Sequence, residues 1–259
     1  VQTVNGDVSV GDVTAKGGTT TSDDGNADSF ARGFSGVSNV IGKVKIDNVM
    51  AIGGTATGPD SSASATATGM EQHNTGNMGA VEIDNIEAIA GRATVADAYA
   101  QGIYFGEVCP LTLASFQANV KAVGTTNDKA VSPSTYAYGI NISQGNVQIN
   151  GDTSITAAVS TTVASPKSGA YAVYTEDEEN QVNINTTDGV TGMGGTVRLV
   201  GDILAYGNST NNIVLDGSDS FLQGNVLDSI HHTDKGINHI VVEHGAVWKP
   251  VFDNRNGSF

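Results

Sequence analysis

One pattern recurs along most of the chain before Val190, at intervals of roughly 30–37 residues. Each copy has a short alternating segment, a polar corner, a second alternating segment and, after a loop, a third. The clearest copy spans residues 79–105 and contains VEI, IEAIA and AYAQGI. Because two separate segments keep one period, the chain must be a solenoid, a propeller or a similar array. The first segment recurs from Val8, Val44, Val81, Leu111, Val147, Val182 and Val197, and the third from Ser29, Ala65, Ala98, Thr135 and Gly169.

The spacing within each segment selects the architecture. Apolar and polar residues alternate with period two, which indicates β-strand, and no long window has helical spacing. A propeller blade needs four strands, whereas each repeat has three. Three strands with polar corners fit one triangular coil of a right-handed parallel β-helix, an all-β solenoid whose coils stack about 4.8 Å apart. The sequence predicts such coils over residues 1–194, with Val81, Ile83, Ile86, Ala88 and Ala90 pointing inward.

The charge of the chain limits the classes of partner that it can bind. The chain has 12 Lys and Arg against 27 Asp and Glu, a formal net charge of −15. This acidity argues against nucleic acid and anionic membrane, because both require basic footprints. The single cysteine, Cys109, excludes a disulfide framework within the chain. The pattern is already under way at Val1, so we expect the printed sequence to be a piece of a longer protein.

A polar corner recurs as Gly11-Asp12, Asp47-Asn48 and Asp84-Asn85. In a parallel stack these side chains lie one above another and can form a hydrogen-bonded ladder that satisfies the bent backbone. A cation held between Asp47 and Asp84 is the alternative interpretation. The ladder is the interpretation we prefer.

Two other segments invite a metal hypothesis. The acidic run at residues 23–28 is similar to a calcium loop, but its glycine falls too early and no distal Glu follows, which favours a solvated turn. His231, His232, His239 and His244 are close in sequence, yet their spacing matches no standard zinc pattern. We therefore expect no bound metal.

Aromatic residues on the third strands form a candidate binding face. Small residues such as Ala100 are predicted to point inward, so the residues that alternate with them point outward. An aromatic stripe along stacked coils can bind sugar rings or pack against a protein. The alternative is stacking between neighbouring coils, which protects the strand ladder. The predicted outward set is Phe30, Tyr99, Tyr136, Tyr138 and Tyr171.

An enzyme is the competing class of function. The acidic run at 175–180 supplies adjacent carboxylates, but glycosidases need two carboxyl groups at a fixed separation across the scissile bond. No GxSxG motif is present to indicate a serine hydrolase. Pectin-type lyases need a cationic base near a bound metal, and the arginines do not cluster in sequence. We expect no catalytic residue and no cofactor. The arginines are Arg32, Arg92, Arg198 and Arg255.

Beyond Gly195 the sequence changes in character. It contains Val197-Arg198-Leu199, then LDGSDSFLQG at 215–224, and a closing GAVW that ends at Trp248. Residues 195–254 resemble the C-terminal part of the passenger domain of bacterial autotransporters, the type V secretion family. The resemblance implies a right-handed parallel β-helix displayed on, or released from, the surface of a diderm bacterium. It also implies a C-terminal outer-membrane β-barrel translocator that is missing from the printed sequence.

The same resemblance assigns residues 195–259 to the last coils and an autochaperone-like cap. An open β-helix end exposes a strand edge and apolar interior, which a capping element must cover. We expect Trp248, Val251 and Phe252 to cover this end.

The expected function is adhesion through the side of the β-helix, outside the cell. The expected partner is a host or bacterial surface protein or glycan, including the same passenger on another cell. A polysaccharide-active β-helix enzyme of the pectin lyase or hydrolase type is one alternative. A structural stalk for a missing N-terminal domain is another.

Overall fold

The structure is a computed structural model of the chain. It describes residues 4–5, 7–21, 28–35, 40–41, 44–57, 64–72, 81–89, 93–94, 97–125, 135–161, 168–176, 179–228 and 236–251. Every regular element in these residues is a β-strand, and the same part of the chain contains no helix. No described segment forms a helix that is long and apolar enough to cross a membrane. The protein is therefore all-β, as the period-two alternation predicts.

The strands of the first repeats are grouped as the sequence pattern indicates. They are β1 (Val4–Asn5), β2 (Val8–Val10), β3 (Val13–Lys16), β4 (Thr19–Thr21), β5 (Asp28–Ser35), β6 (Val40–Ile41), β7 (Val44–Ile52), β8 (Thr55–Thr57), β9 (Ser64–Gln72), β10 (Val81–Ile89) and β11 (Ala93–Thr94).

Two long strands then join parts of successive repeats. Strand β12 (Asp97–Thr125) contains the third strand of one repeat and the first two of the next, and β13 (Thr135–Ile149) makes a similar junction. The remaining strands are β14 (Thr153–Thr161), β15 (Ser168–Thr175), β16 (Gln181–Ile184), β17 (Val197–Val200), β18 (Asp202–Ala205), β19 (Thr210–Asp216), β20 (Phe221–Gln223), β21 (Val226–Asp228), β22 (Ile237–Glu243) and β23 (Val247–Lys249).

Pairing between the strands is parallel and follows the repeats. Strands β1 and β6 form a two-stranded sheet, and the other strands form a sheet of 21. A strand pairs with its counterparts in the neighbouring repeats, so that Ile86 of β10 is in register with Val49 of β7 and with Ala118 of β12. This pattern is consistent with a β-helix, because strands one repeat apart lie side by side.

The core is a column of small and medium apolar side chains contributed by successive repeats. Ile86 and Ala88 are fully buried, which confirms their predicted inward orientation. The side chains of Val81 and Ile83, and the whole of Ala90, lie outside the described residues. Registered positions in other repeats are buried as well, among them Val44, Ile46, Val49, Ala51, Leu111, Leu113, Ala118, Val120, Val147, Ile149 and Ile155.

A glycine at one position of each early third strand allows the opposite wall to approach. A Cβ added to Gly139 would lie 2.2 Å from Ile155 Cγ2 and 2.6 Å from the carbonyl oxygen of Ala172. Both distances are too short for a real contact, so the position requires the smallest side chain. Gly33, Gly69 and Gly102 are equally crowded by the neighbouring repeat.

The polar corner forms part of the predicted ladder. Asn48 Nδ2 donates a hydrogen bond of 2.7 Å to Asp12 Oδ1, and Asn48 is in register with Asn85. The side chain of Asp84 lies outside the described residues, so a cation between Asp47 and Asp84 stays a hypothesis. The ladder between the first two corners is confirmed.

Candidate binding face on the third strands

The third strands of five successive repeats lie side by side, in β5, β9, β12, β13 and β15. Their register aligns residues whose side chains alternate with the buried alanines Ala31, Ala67, Ala100 and Ala137. One aligned column contains Phe30, Thr66, Tyr99, Tyr136 and Gly169, and the next contains Arg32, Thr68, Gln101, Tyr138 and Tyr171.

Five tyrosines from these strands form a continuous cluster, which we call the tyrosine patch: Tyr99, Tyr136, Tyr138, Tyr171 and Tyr174. The rings of Tyr99 and Tyr136 stack with centroids 5.9 Å apart, and those of Tyr138 and Tyr171 with centroids 5.5 Å apart. Tyr136 also stacks on Tyr138, at 5.7 Å, and so joins the two columns. The structure thus brings together four of the five aromatic residues predicted for the binding face.

The ring planes decide what the tyrosine patch can contact. Tyr138 and Tyr171 are inclined by only 12°, and Tyr99 and Tyr136 by 20°. Nearly parallel rings on adjacent strands turn their faces toward one another, so an incoming molecule meets ring edges. Tyr138, in the middle, is only 9% exposed, whereas Tyr136 and Tyr171 are half-buried. The same tyrosines therefore stack between neighbouring repeats and form part of the outer surface.

Tyr174 belongs to the patch but is absent from the sequence-predicted set. Its ring lies edge-on to Tyr138, with centroids 5.1 Å apart. Strict alternation from Ala170 would turn Tyr174 inward, but Ala172 and Val173 are both fully buried and the alternation shifts by one residue. The glycine at the position of Ala172 in earlier repeats was the available signal, since an isolated glycine in a strand often marks such an irregularity.

The phenols of Tyr138 and Tyr174 stay neutral at physiological pH. Burial, followed by the neighbouring Tyr174 phenol, raises the pKa of Tyr138 far above its usual value. Burial and the Glu176 carboxylate likewise raise the pKa of Tyr174, whose hydroxyl donates a 3.0 Å hydrogen bond to Glu176 Oε2. Ser143 Oγ donates to the other oxygen of this carboxylate at 2.9 Å. The patch is uncharged on a chain of net charge −15.

Phe30 lies apart from the tyrosines. It is 51% exposed, and Thr66 occupies the position between Phe30 and Tyr99 in their column. The Arg32 guanidinium lies 5.7 Å from the Phe30 ring centroid and forms a 2.6 Å ion pair with the buried Glu71 carboxylate. Phe30 therefore belongs to a charged end of the face.

Of the residues predicted for the C-terminal cap, Trp248 lies in the last described strand and Val251 follows it. Trp248 is in register with the buried Leu222 but is itself 43% exposed, and its Nε1 donates to the Gly224 carbonyl oxygen at 2.9 Å. Val251 is 41% exposed. Phe252 lies outside the described residues, and the capping role of all three stays a prediction.

The other candidate metal segments are only partly described. Residues 23–27 of the acidic run, and His231 and His232, lie outside the described part of the chain. His239 is exposed and in register with Asn212. His244 instead meets Asp216, with 2.7 Å between Nδ1 and Oδ1, and Glu243 lies beside them. Of the two described histidines, His244 therefore lies with two carboxylates.

A shallow polar cleft lies between the second strands of successive repeats. These include β17, which pairs with the second strand β14, so the segment from Val197 is not the copy of the first segment that the sequence pattern predicted. The cleft has a volume of about 310 Å³ and is lined by Asp152, Ser154 and Arg198, among others. Both charged groups hold the backbone: Asp152 Oδ1 accepts from the Thr196 N–H at 2.8 Å, and Arg198 Nε donates to the Asp219 carbonyl at 3.1 Å. Their bonding is that of structural residues, so the cleft does not indicate an acid–base pair.

Comparisons with protein-family models, with curated proteins and with solved structures found no match for this chain.

Proposed function

We propose that the chain is part of a right-handed parallel β-helix of three strands per coil, the passenger domain of a bacterial autotransporter, and that it acts as an extracellular adhesin. The parallel register between successive repeats supports the β-helix. The motifs between Val197 and Trp248 support the autotransporter class by resemblance alone. The site that carries the adhesive role is the tyrosine patch.

The observation on which the proposal depends is an uncharged aromatic patch on a strongly acidic chain. Tyrosine combines a large apolar ring with a polar hydroxyl and is enriched in protein interfaces and their energetic hot spots. Acidic chains repel one another at long range, so two of them approach best where the surface lacks carboxylates. The five rings of the tyrosine patch carry no charge at neutral pH, and the one carboxylate described beside them, that of Glu176, accepts hydrogen bonds from Tyr174 and Ser143.

The ring orientation favours a protein partner over a glycan. Sugar binding by stacking needs an aromatic face turned to solvent, whereas the rings of Tyr138 and Tyr171 turn their faces toward each other. A flat row of ring edges is suited to packing against another flat protein surface. We therefore assign a second copy of the passenger, as on another cell, as the first partner, with other surface proteins and glycans as alternatives.

The test is sedimentation velocity over a concentration series with the chain and a variant in which Tyr99, Tyr136, Tyr138 and Tyr171 are changed to Ser. We expect a reversible dimer whose dissociation constant rises at least tenfold in the variant. Phe221→Ser removes an aromatic ring from a second strand, away from the patch, and should leave the dimer intact. Circular dichroism melts of all three proteins check that each is folded.

A second variant separates ring contact from hydroxyl contact. Changing the same four tyrosines to Phe keeps the apolar rings, so dimerisation should be retained if ring packing drives it. A chain that stays monomeric at high concentration would overturn self-association. Binding to glycans or matrix proteins that is lost in the Ser variant would then redirect the proposal to those partners.

A further inference from the structure

Two turns lie one above the other at the ends of strands β19 and β22. Asp216 ends β19 and is in register with Glu243, which ends β22. His244 follows with a positive φ of 51°, a conformation uncommon for residues other than glycine, and Gly245 follows with φ 89°. This backbone turns the imidazole of His244 back onto the preceding repeat, where Nδ1 lies 2.7 Å from Asp216 Oδ1.

Hydrogen bonds to main-chain carbonyl oxygens close the two turns, which leaves the carboxylates for another role. The Asp216 carbonyl oxygen accepts a 2.6 Å bond from Ser220 Oγ, and the Glu243 carbonyl oxygen accepts a 3.1 Å bond from the Ala246 N–H. Neither carboxylate is therefore needed to close its turn. A site whose backbone is fixed independently of its ligands is preorganised.

The pairing of Asp216 with Glu243 places two carboxylates side by side. In two other stacked pairs a carboxylate faces a donor instead: Asn48 Nδ2 donates to Asp12, and Ser64 Oγ donates to Asp28. Two carboxylates directly opposite each other on adjacent strands repel and destabilise the pair. Here one imidazole is shared between two acidic residues.

The three side chains converge closely enough to bind one ion. One ligand atom from each of Asp216, Glu243 and His244 lies within 4.8 Å of the others. Tetrahedral coordination with bonds near 2 Å places ligand atoms about 3.4 Å apart, so binding requires only small side-chain rotations. Asp216 is 26% exposed and His244 73% exposed, which allows an ion to enter from solvent.

We propose that Asp216, Glu243 and His244 form a binding site for a divalent cation of the zinc class. An imidazole nitrogen with carboxylate oxygens suits zinc and its neighbours in the transition series, whereas calcium and magnesium prefer oxygen ligands alone. The ion neutralises the opposed carboxylates and links two successive repeats. A water molecule completes the tetrahedral coordination.

A metal ion must compete with a proton at His244, because the pKa of this imidazole is raised. The hydrogen bond to Asp216, with the negative charges of Asp216 and Glu243, favours a positive charge at this position. A proton satisfies that preference in the free protein. A metal ion replaces it, because ligation requires a neutral imidazole.

Isothermal titration of the EDTA-treated protein with ZnCl₂ tests the proposal. We expect one saturable site that weakens at least tenfold in His244→Ala and in Asp216→Asn. His239→Ala removes an exposed histidine of β22 and should change the affinity less than twofold. Co²⁺ added to the wild-type chain should give visible absorption bands, and those bands should be lost in His244→Ala.

The result can overturn the assignment in two ways. Absence of saturable zinc binding to the wild-type chain would do so. So would unchanged affinity in both His244→Ala and Asp216→Asn, because the ion would then be bound by other histidines or Cys109. Circular dichroism of each variant confirms folding. Glu243→Gln is a third variant: it leaves the backbone bonds of Glu243 intact and should also weaken zinc binding.

Discussion

The repeats from Val44 to Thr175 and those from Gln181 to Lys249 use the same parallel pairing but are stabilised differently. In the N-terminal group, strands such as β7, β9, β10 and β14 have nine residues each, whereas β17, β18, β20 and β21 of the C-terminal group have three or four. Within the described residues, every positive φ occurs at or after Gly145. Most strands of the first group are long, although β8 has three residues and β11 two, and most strands of the second group are short, although β19 and β22 have seven.

A network of hydrogen bonds between buried polar side chains stabilises the C-terminal group. Ser209 and Thr175 are fully buried, and their hydroxyl oxygens are 3.0 Å apart, while Thr175 also donates to Asn211 Oδ1 at 3.2 Å. Asn211 continues the chain of bonds to Asn238 Oδ1 at 2.9 Å. Short strands leave more backbone and corner groups to satisfy, and buried amides and hydroxyls do so. The N-terminal group also buries polar side chains such as Thr68 and Thr135, but its third strands pack so closely that Gly69 and Gly139 leave no room for a Cβ.

The largest expected effect is in the C-terminal group, at Asn185. Its Oδ1 accepts bonds from the N–H groups of Gly195 at 2.8 Å and Met193 at 3.1 Å, and its Nδ2 donates to the Val214 carbonyl at 3.1 Å. Asn185→Ala removes these three bonds and places alanine at φ 56°, although the Met193 N–H still donates to the carbonyl oxygen of residue 185 at 3.0 Å. We expect a loss of about 4 kcal/mol in the free energy of unfolding, measured by urea titration.

Asn208→Ala is the matched control, because Asn208 is exposed, and it should change stability little. A small effect of Asn185→Ala would show that the buried amide does not support the C-terminal turns, and the contrast between the two groups would fail.

The next effect is in the N-terminal group, at Gly139. In Gly139→Ala the new methyl group meets Ile155 Cγ2 and the Ala172 carbonyl oxygen, and the second is backbone that cannot move aside easily. We expect a destabilisation of about 3 kcal/mol by urea titration, since overpacking strains a close-packed interior. Gly11→Ala is the control, because a Cβ at Gly11 would meet no atom within 4 Å. Equal effects at both positions would refute the account of close packing.

The smallest effect is on the loop between β16 and β17. Hydrogen bonds from the N–H groups of Thr191 and Val190, and from the Thr191 hydroxyl, hold the pKa of Asp188 well below its usual range. A carboxyl group whose pKa is lower in the folded than in the unfolded chain stabilises the protein at any pH above its unfolded pKa. This stabilisation is lost as the pH falls toward the pKa of the folded state. Asp188→Asn should lower the melting temperature at pH 7 by about 2 °C or less.

Melting temperatures measured in acid test whether hydrogen bonds to the Asp188 carboxylate explain its effect. The difference between wild type and Asp188→Asn should shrink below about pH 4, because the wild-type carboxylate then begins to protonate in the unfolded chain. Asp219→Asn makes the same charge change at another exposed turn residue and is the control for the loss of one negative charge. A difference that grows in acid would contradict the hydrogen-bond explanation.

Much of the early architecture was accessible from the sequence because it is local and periodic. Alternation with period two identified Ile86 and Ala88 as inward residues, and the recurring corner predicted the bond between Asp12 and Asn48. The constant spacing of the third strands also aligned Tyr99 with Tyr136. The same reasoning did not predict Tyr174, because an extra inward residue before it shifts the alternation.

The sequence by itself determined the period, the all-β class and the outward position of most of the tyrosine patch, because each depends on neighbours along one strand or on a constant offset between repeats. Only the tertiary structure decided that Asp216, Glu243 and His244 meet. Asp216 and His244 are 28 residues apart, whereas earlier contacts such as Asp12 with Asn48 span 36. Shorter strands change that offset, and register across shortened repeats is fixed by packing and turn geometry, which no single segment encodes.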